Sequence, residues 1–181
     1  MPVQGRTRGG ALRPAGFIEL PTHEAPGGFD HAAVHARARR LYVAHTANGA
    51  IDIIDTDSDR YLRSIGGLRG VAGALVCEAE DLVFTSNRGE DTVGLLRAGA
   101  MERVPVGHRP NGLAYDPSRR LLLAANVGEP ASASLVDVEE AREIARIPMP
   151  GRTRWSIFDP VRQVFFVNIA DPPRIVTIET A

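Results

Sequence analysis

Apolar and polar positions alternate along this chain in short runs that never settle into a helical period. From residue 32 onward the runs come in threes and fours, separated by Gly, Pro, Asp and Asn. Alternation of this kind, punctuated in this way, predicts β-strands joined by tight turns. First strands are predicted at 32–35, 74–76, 113–115 and 156–158, second strands at 41–44, 82–85, 121–125 and 164–167, and third strands at 51–55, 92–96, 134–138 and 174–178. Fourth strands follow three times, at 61–65, 101–106 and 142–147. Second strands begin at Leu41, Leu82, Leu121 and Val164. A period of roughly 40 residues with three or four short strands in each is the pattern of β-propeller blades. Residues 139–144, Glu-Glu-Ala-Arg-Glu-Ile, have helical propensity, but the register makes them the turn into an outer strand. Asp116-Pro117 suits the first two positions of a type I turn, because Pro presets its backbone angle and Asp caps the turn.

The fourth repeat stops after its third strand. Residues 15–20 contain Phe17-Ile18-Glu19-Leu20 and end at Pro21, like Arg103-Val104-Pro105 and Arg146-Ile147-Pro148 ahead of two first strands. This N-terminal strand is expected to complete the terminal blade, so that no sheet edge stays open. The fold class is therefore all-β, a propeller of about four four-stranded blades over residues 15–181. Residues 1–14, rich in Gly, Arg and Pro, read as a flexible tail.

Leu41-Tyr42-Val43-Ala44-His45, followed by Ile51-Asp52-Ile53-Ile54-Asp55-Thr56, resembles the repeat core of the YVTN-repeat (YncE-like) β-propeller family. His45 stands where that family usually has Asn. Pro105-Val106-Gly107-His108-Arg109-Pro110-Asn111-Gly112-Leu113-Ala114 resembles its inter-blade motif, and the similarity covers residues 15–181. The resemblance implies about seven blades, and this chain has material for four. A truncated member, a closed four-blade ring and half of a two-chain propeller are all open. A partial arc is expected, because blades shaped for a seven-fold ring subtend too small an angle to close at four. Such an arc exposes an apolar blade face and favours self-association.

Composition narrows the partners. The chain is 44% hydrophobic and 24% charged, with a net charge of −1. No general electrostatic grip on nucleic acid or an anionic membrane follows from that balance. All 21 basic residues are Arg, which excludes lysine chemistry such as a Schiff base. Cys77, the single cysteine, lies in an apolar run and is expected to pack in the core. The chain lacks the apolar run of a secretory signal and any 18-residue apolar segment, and is read as cytoplasmic.

In an up-and-down blade, the link into the first strand and the loop between second and third strands emerge on one side, near the axis. This predicts a polar channel mouth. The links supply His31, Asn111, Arg154 and Trp155, with His108 and Arg109 nearby; the loops supply His45, Asn87, Arg88, Asn126 and Asn168. Such side chains can hold a carboxylate, a sugar acid or a metal ion, although Asn and His at strand ends also satisfy turn backbone. Trp155, the only Trp, suits a stacking platform or packing between blades. His31 and His35 would stand about 13 Å apart on a strand, too far to share an ion. His35 is expected to face the core, in line with Val76, Tyr115 and Phe158. No spacing motif joins His31, His45 and His108, so no metal or cofactor is assigned.

The chain carries no Gly-x-Ser-x-Gly, His-Glu-x-x-His, phosphate-loop or dinucleotide fingerprint. The acidic pairs Asp57/Asp59 and Glu139/Glu140 fall on outer turns, where solvation accounts for them. The reading is a non-catalytic binding or interaction scaffold whose partner, a small molecule or a protein, sits at the channel mouth. The alternative is a metal-assisted, lactonase-like hydrolase using the same rim, with Glu90, Asp91 and Glu129 in adjoining loops. Single-strand nucleic-acid contact through Arg88, Arg109, Arg152 and Arg154 is disfavoured by the overall charge.

Overall fold

The computed structural model describes residues 13–180. Its fifteen strands form four antiparallel sheets in chain order, as the forty-residue period requires. Blade 1 holds β1 (Ala32–His35), β2 (Arg40–His45), β3 (Ala50–Asp55) and β4 (Arg60–Ile65). Blade 2 holds β5 (Val71–Cys77), β6 (Leu82–Asn87), β7 (Thr92–Arg97) and β8 (Ala100–Pro105). Blade 3 holds β9 (Pro110–Asp116), β10 (Leu121–Asn126), β11 (Ser132–Asp137) and β12 (Arg142–Pro148). Blade 4 has three strands, β13 (Thr153–Asp159), β14 (Val164–Ile169) and β15 (Arg174–Glu179). Residues 139–144 do form a turn into an outer strand. No α-helix occurs among the described residues, and none there is long and apolar enough to cross a membrane.

Three apolar seams hold the blades together. Tyr42, Ala44, Ile51 and Ile53 of blade 1 pack on Val71 and Val83 of blade 2. Phe84, Val93 and Leu95 meet Tyr115, Leu122 and Val136 across the next seam, with the partly buried Cys77 against it. Leu123, Ala125 and Ala133 meet Phe165, Val167 and Ile178 across the last. Alternate residues of one strand thus serve opposite seams, which is the period-two pattern read as a sandwich of sheets. The arc is open: Val34 at one end, and Ile157 and Ile175 at the other, are more than half exposed.

The first hairpins share one construction. Each ends in a left-handed residue, Arg39, Asp81, Arg120 or Gln163, just before the second strand. Asp116 and Asp159 cap theirs by accepting amide hydrogens from residues two and three further on. His35 fills this place in blade 1, where Nδ1 accepts the Ala38 amide at 3.2 Å. This corrects the sequence alignment by one residue. His35 is buried as a hairpin cap paired with Arg40, the place that the Asp116–Leu121 pair holds in blade 3, and not as a counterpart of Val76.

The N-terminal strand is a second correction. Residues 15–20 form no strand and do not join blade 4. The following stretch is tied to blade 1: Asn48 Oδ1 accepts the Glu24 amide at 2.9 Å, Asn48 Nδ2 donates to the Thr22 carbonyl at 2.9 Å, and His23 and Phe29 cover His45. The chain is thereby held at the far end of the arc from β15. The tail expected over 1–14 lies, apart from Arg13 and Pro14, outside the described residues.

The inner strands β5, β9 and β13 stand close. A Cβ on Gly112 would strike the Arg154 carbonyl oxygen and come within 3.1 Å of the Ser156 nitrogen and the Trp155 Cα, all backbone atoms. Gly112→Ala is therefore expected to cost about 1–3 kcal/mol, as overpacked sites do. Gly66→Ala, with nothing near its Cβ, is expected to stay within about 0.5 kcal/mol. Urea unfolding midpoints of the two variants check this.

Burial of Asp116 pushes its carboxyl up, but hydrogen bonds from Ser118 and Arg119 outweigh it and hold the group below the usual carboxylate value. A lowered folded-state value adds stability at pH values above the unfolded one, about 4, and that stability is lost as pH falls through the folded value. Asp116→Asn should accordingly be less stable than the parent at pH 7, and the difference should shrink at pH values below about 4. Urea midpoints compared on both sides of that value test the sign.

Candidate functional site

At the head of the inner strands, residues from all four blades enclose a cavity of about 150 Å³. His31, just before β1, closes one side and Trp155 of β13 the other; Asn111 of β9 and Gly73 of β5 lie between, with Leu75 and Leu113 below. His31 Nδ1 is 2.9 Å from Asp30 Oδ1 and 3.0 Å from the Ala72 carbonyl oxygen. Both neighbours accept, so Nδ1 carries a proton, and in the neutral form of the ring the lone pair lies on Nε2. Arg88 Nη2 donates to Asp30 Oδ2 at 2.6 Å, so a chain from Arg88 through Asp30 to His31 fixes the imidazole. The indole of Trp155 meets that ring edge to face, with centroids 4.7 Å apart. Asn111 is buried and lines the cavity, and its main-chain oxygen accepts the Ser86 hydroxyl at 2.8 Å. Ser156 Oγ, on a cavity residue, is buried without a partner. The arrangement offers an imidazole nitrogen, an amide and an aromatic surface around a space the size of one small ring.

The structure sorts the remaining mouth residues differently from the sequence reading. His45 is wholly buried beneath His23 and Phe29: its Nδ1 is 2.8 Å from Asp52 Oδ2, and Asp52 Oδ1 accepts the Ser64 hydroxyl at 2.6 Å. Asn87 and Asn126 are buried braces. Asn87 Nδ2 donates to Thr92 Oγ1 at 3.0 Å, and Asn126 Nδ2 donates to Ser132 and Ser134 at 3.0 and 2.9 Å. His108 and Arg109 gather on Asp91, beside a separate pocket with Pro130 and Arg146. Burial raises the Asp91 carboxyl, yet the Arg109 amide and the His108 imidazole together hold it below its ordinary value. Arg154 is exposed, with its carbonyl packed on Gly112. Asn168 is exposed on the outward face of blade 4, in register with Ile175.

Of the eleven candidates, then, His31, Asn111 and Trp155 share the cavity and Arg88 supports it. The sequence reading missed Asp30, whose only signal was its place beside His31, and Ser156, which had none. It also missed a cluster at the opposite end of the inner strands. There Tyr115 donates to Glu80 at 2.9 Å and Arg120 pairs with Glu80 at 3.1 Å, at the edge of a pocket of about 450 Å³ lined by Tyr115 and Cys77. Burial, with Glu80 beside it, pushes the Tyr115 hydroxyl well above its ordinary value. Among the described residues no three His, Cys, Asp or Glu side chains gather closely enough to hold a metal ion.

No family model and no curated protein matches the chain. Solved structures do. The chain is similar to hydrazine synthase of Kuenenia stuttgartiensis, at TM-score 0.77 and 13% identity over 86% of this chain and 47% of that one. It is similar to the WD40 β-propeller domain of Doa1 at TM-score 0.72 and 13% identity, over 91% and 54% of the two chains. It also resembles the Cps50 (Swd1) β-propeller domain of Myceliophteria thermophila at TM-score 0.68 and 12% identity, over 84% and 54%. These likenesses show a β-propeller fold, and the chain spans about half the length of the structures it matches.

The two kinds of Asn separate by stability. Asn126→Ala removes two buried hydrogen bonds, leaving Ser134 Oγ only the Gly107 amide, and should cost about 1–3 kcal/mol. Asn111→Ala, whose structural bond is made by the main chain, should cost under about 1 kcal/mol. Denaturant titration of both variants checks the ranking.

Proposed function

We propose that this chain is a non-catalytic β-propeller scaffold of the YVTN-repeat type, and that it binds a small molecule in the cavity between His31, Asn111 and Trp155. One observation carries the reading: residues from three different blades converge on a single cavity, while His45, Asn87 and Asn126 are taken up in structural bonds. The Asp30–Arg88 support points the same way, since a ring held on one nitrogen presents the other to an occupant at little entropic cost. The family resemblance rests on the repeat core at 41–56 and the inter-blade motif at 105–114. The cavity suits a single ring bearing a hydroxyl or amide hydrogen, which Nε2 of neutral His31 would accept while Trp155 covers its face.

Trp155 is the only Trp, so tryptophan emission, excited selectively over the three Tyr, reports on this cavity. Titration with a panel of small hydroxylated and amide-bearing rings is expected to yield a compound that shifts Trp155 emission saturably. His31→Ala combined with Asn111→Ala should weaken that compound at least tenfold, about 1.4 kcal/mol, whereas Asn168→Ala should leave it unchanged. A panel with no response, or a response that the paired variant retains, would sink this reading.

A further inference from the structure

Blade 4 presents an unfinished edge and an uncovered face. In blades 1 to 3 the third strand carries a fourth on its outer side; β15 carries none. On the adjoining face Ile157 is 66% and Ile175 64% exposed, with Phe166 beside them half-buried. By strand register Phe166 and Ile175 occupy the places of Tyr42 and Ile51 in blade 1, and of Phe84 and Val93 in blade 2. All four of those residues are buried against the following blade.

The other end of the arc shows the complementary face. Val34 is 54% exposed and Leu41 is half-buried, in the places of Val76 and Val83. In blade 2 those two side chains pack into the seam with blade 1. The exposed parts of the two end faces thus stand at places that pack together within the molecule's own seams, while Ile54, Asp52 and His45 on the blade 1 face are already buried.

Residues 15–21 supply the missing strand by the same register. They form no strand here, and Phe17 is 85% exposed. Leu20-Pro21 repeats Val104-Pro105 and Ile147-Pro148, the last residues of β8 and β12. Val104 pairs with Val93, Ile147 with Ala133, and Ile65 with Ile51. Continued to blade 4, this register sets Leu20 opposite Ile175 and Pro21 opposite Arg174. A proline tolerates that place in a strand that takes the outer edge.

We propose that the edge of β15 and the outward face of blade 4 dock a second copy of this chain. Residues 15–21 of that copy become the fourth strand, and its first blade covers Phe166 and Ile175. The contact is head-to-tail, so it closes only if the rotation allows. The chain covers 54% of each of the two propeller-domain structures it matches, and in a closed assembly of two copies each would supply the other's fourth strand.

Light scattering and sedimentation equilibrium on the full chain are expected to give twice the 19.5 kDa chain mass. Ile175→Glu and Leu20→Asp change exposed or half-buried positions. Each should halve the mass while leaving the far-ultraviolet spectrum and unfolding cooperativity intact. In a Cys77→Ala background, Leu20→Cys on one protein mixed with Ile175→Cys on the other should form an interchain disulfide, since directly opposed strand residues bring their Cβ atoms within about 5.5 Å. A monomer at every concentration, or a dimer that gives no cross-link, would overturn the proposal.

Discussion

A sheet that is apolar on both faces cannot be an outer layer, and every blade of this chain is such a sheet. Tyr42 and Leu41 are neighbours in β2, yet Tyr42 serves the seam with blade 2 and Leu41 faces the other way. The same division recurs in β6, where Val83 packs toward blade 1 and Phe84 toward blade 3. Each seam contributes hydrophobic burial that no blade can obtain alone, which makes the fold a one-dimensional stack with nearest-neighbour energetics. Close approach at the axis follows from the same stacking. Wedge-shaped packing crowds the inner strands, and Gly73 and Gly112 occur where a side chain would meet the next strand.

Crowding at the axis also decides what the polar residues do. A buried donor or acceptor must be bonded, so most Asn, Ser and His near the strand ends are taken by the turn backbone or by each other. Asn126 with two serines, Asn87 with Thr92, His35 with its hairpin and His45 with Asp52 are instances. A residue escapes only where its backbone meets the structural demand. Asn111 does this through its carbonyl, and His31 through one ring nitrogen. Free chemical capacity at the mouth is therefore a remainder, and it collects where four inner strands leave room.

The blades were legible because their signal is local. Alternation, Asp-Pro and Asp-x-x hairpins, and a period set by blade length all lie within a few residues of one another. The one-residue slip at His35 arose where the local signal failed, since His there does the work that Asp does in blades 3 and 4. The site was only partly legible, because its membership depends on where a side chain points and on how a link runs. His45 and Asn168 end equivalent regions of β2 and β14, yet one is sealed under the N-terminal stretch and the other stands on an outward face. The strand at 15–20 has a sequence like the outer edges of blades 2 and 3, but its continuation is held on blade 1 by Asn48, His23 and Phe29.

The cavity and the open ends are not independent. His31 belongs to the first blade and Trp155 to the last, and their rings touch across the mouth. The contact fixes the spacing between the two ends of the arc at its inner edge, while the outer edges have nothing between them. An occupant held by both rings favours one curvature of the arc, and by linkage that curvature favours the occupant. If both proposed sites are filled, binding at the axis and the fit of the end faces to a neighbour would be coupled through the same inter-blade geometry.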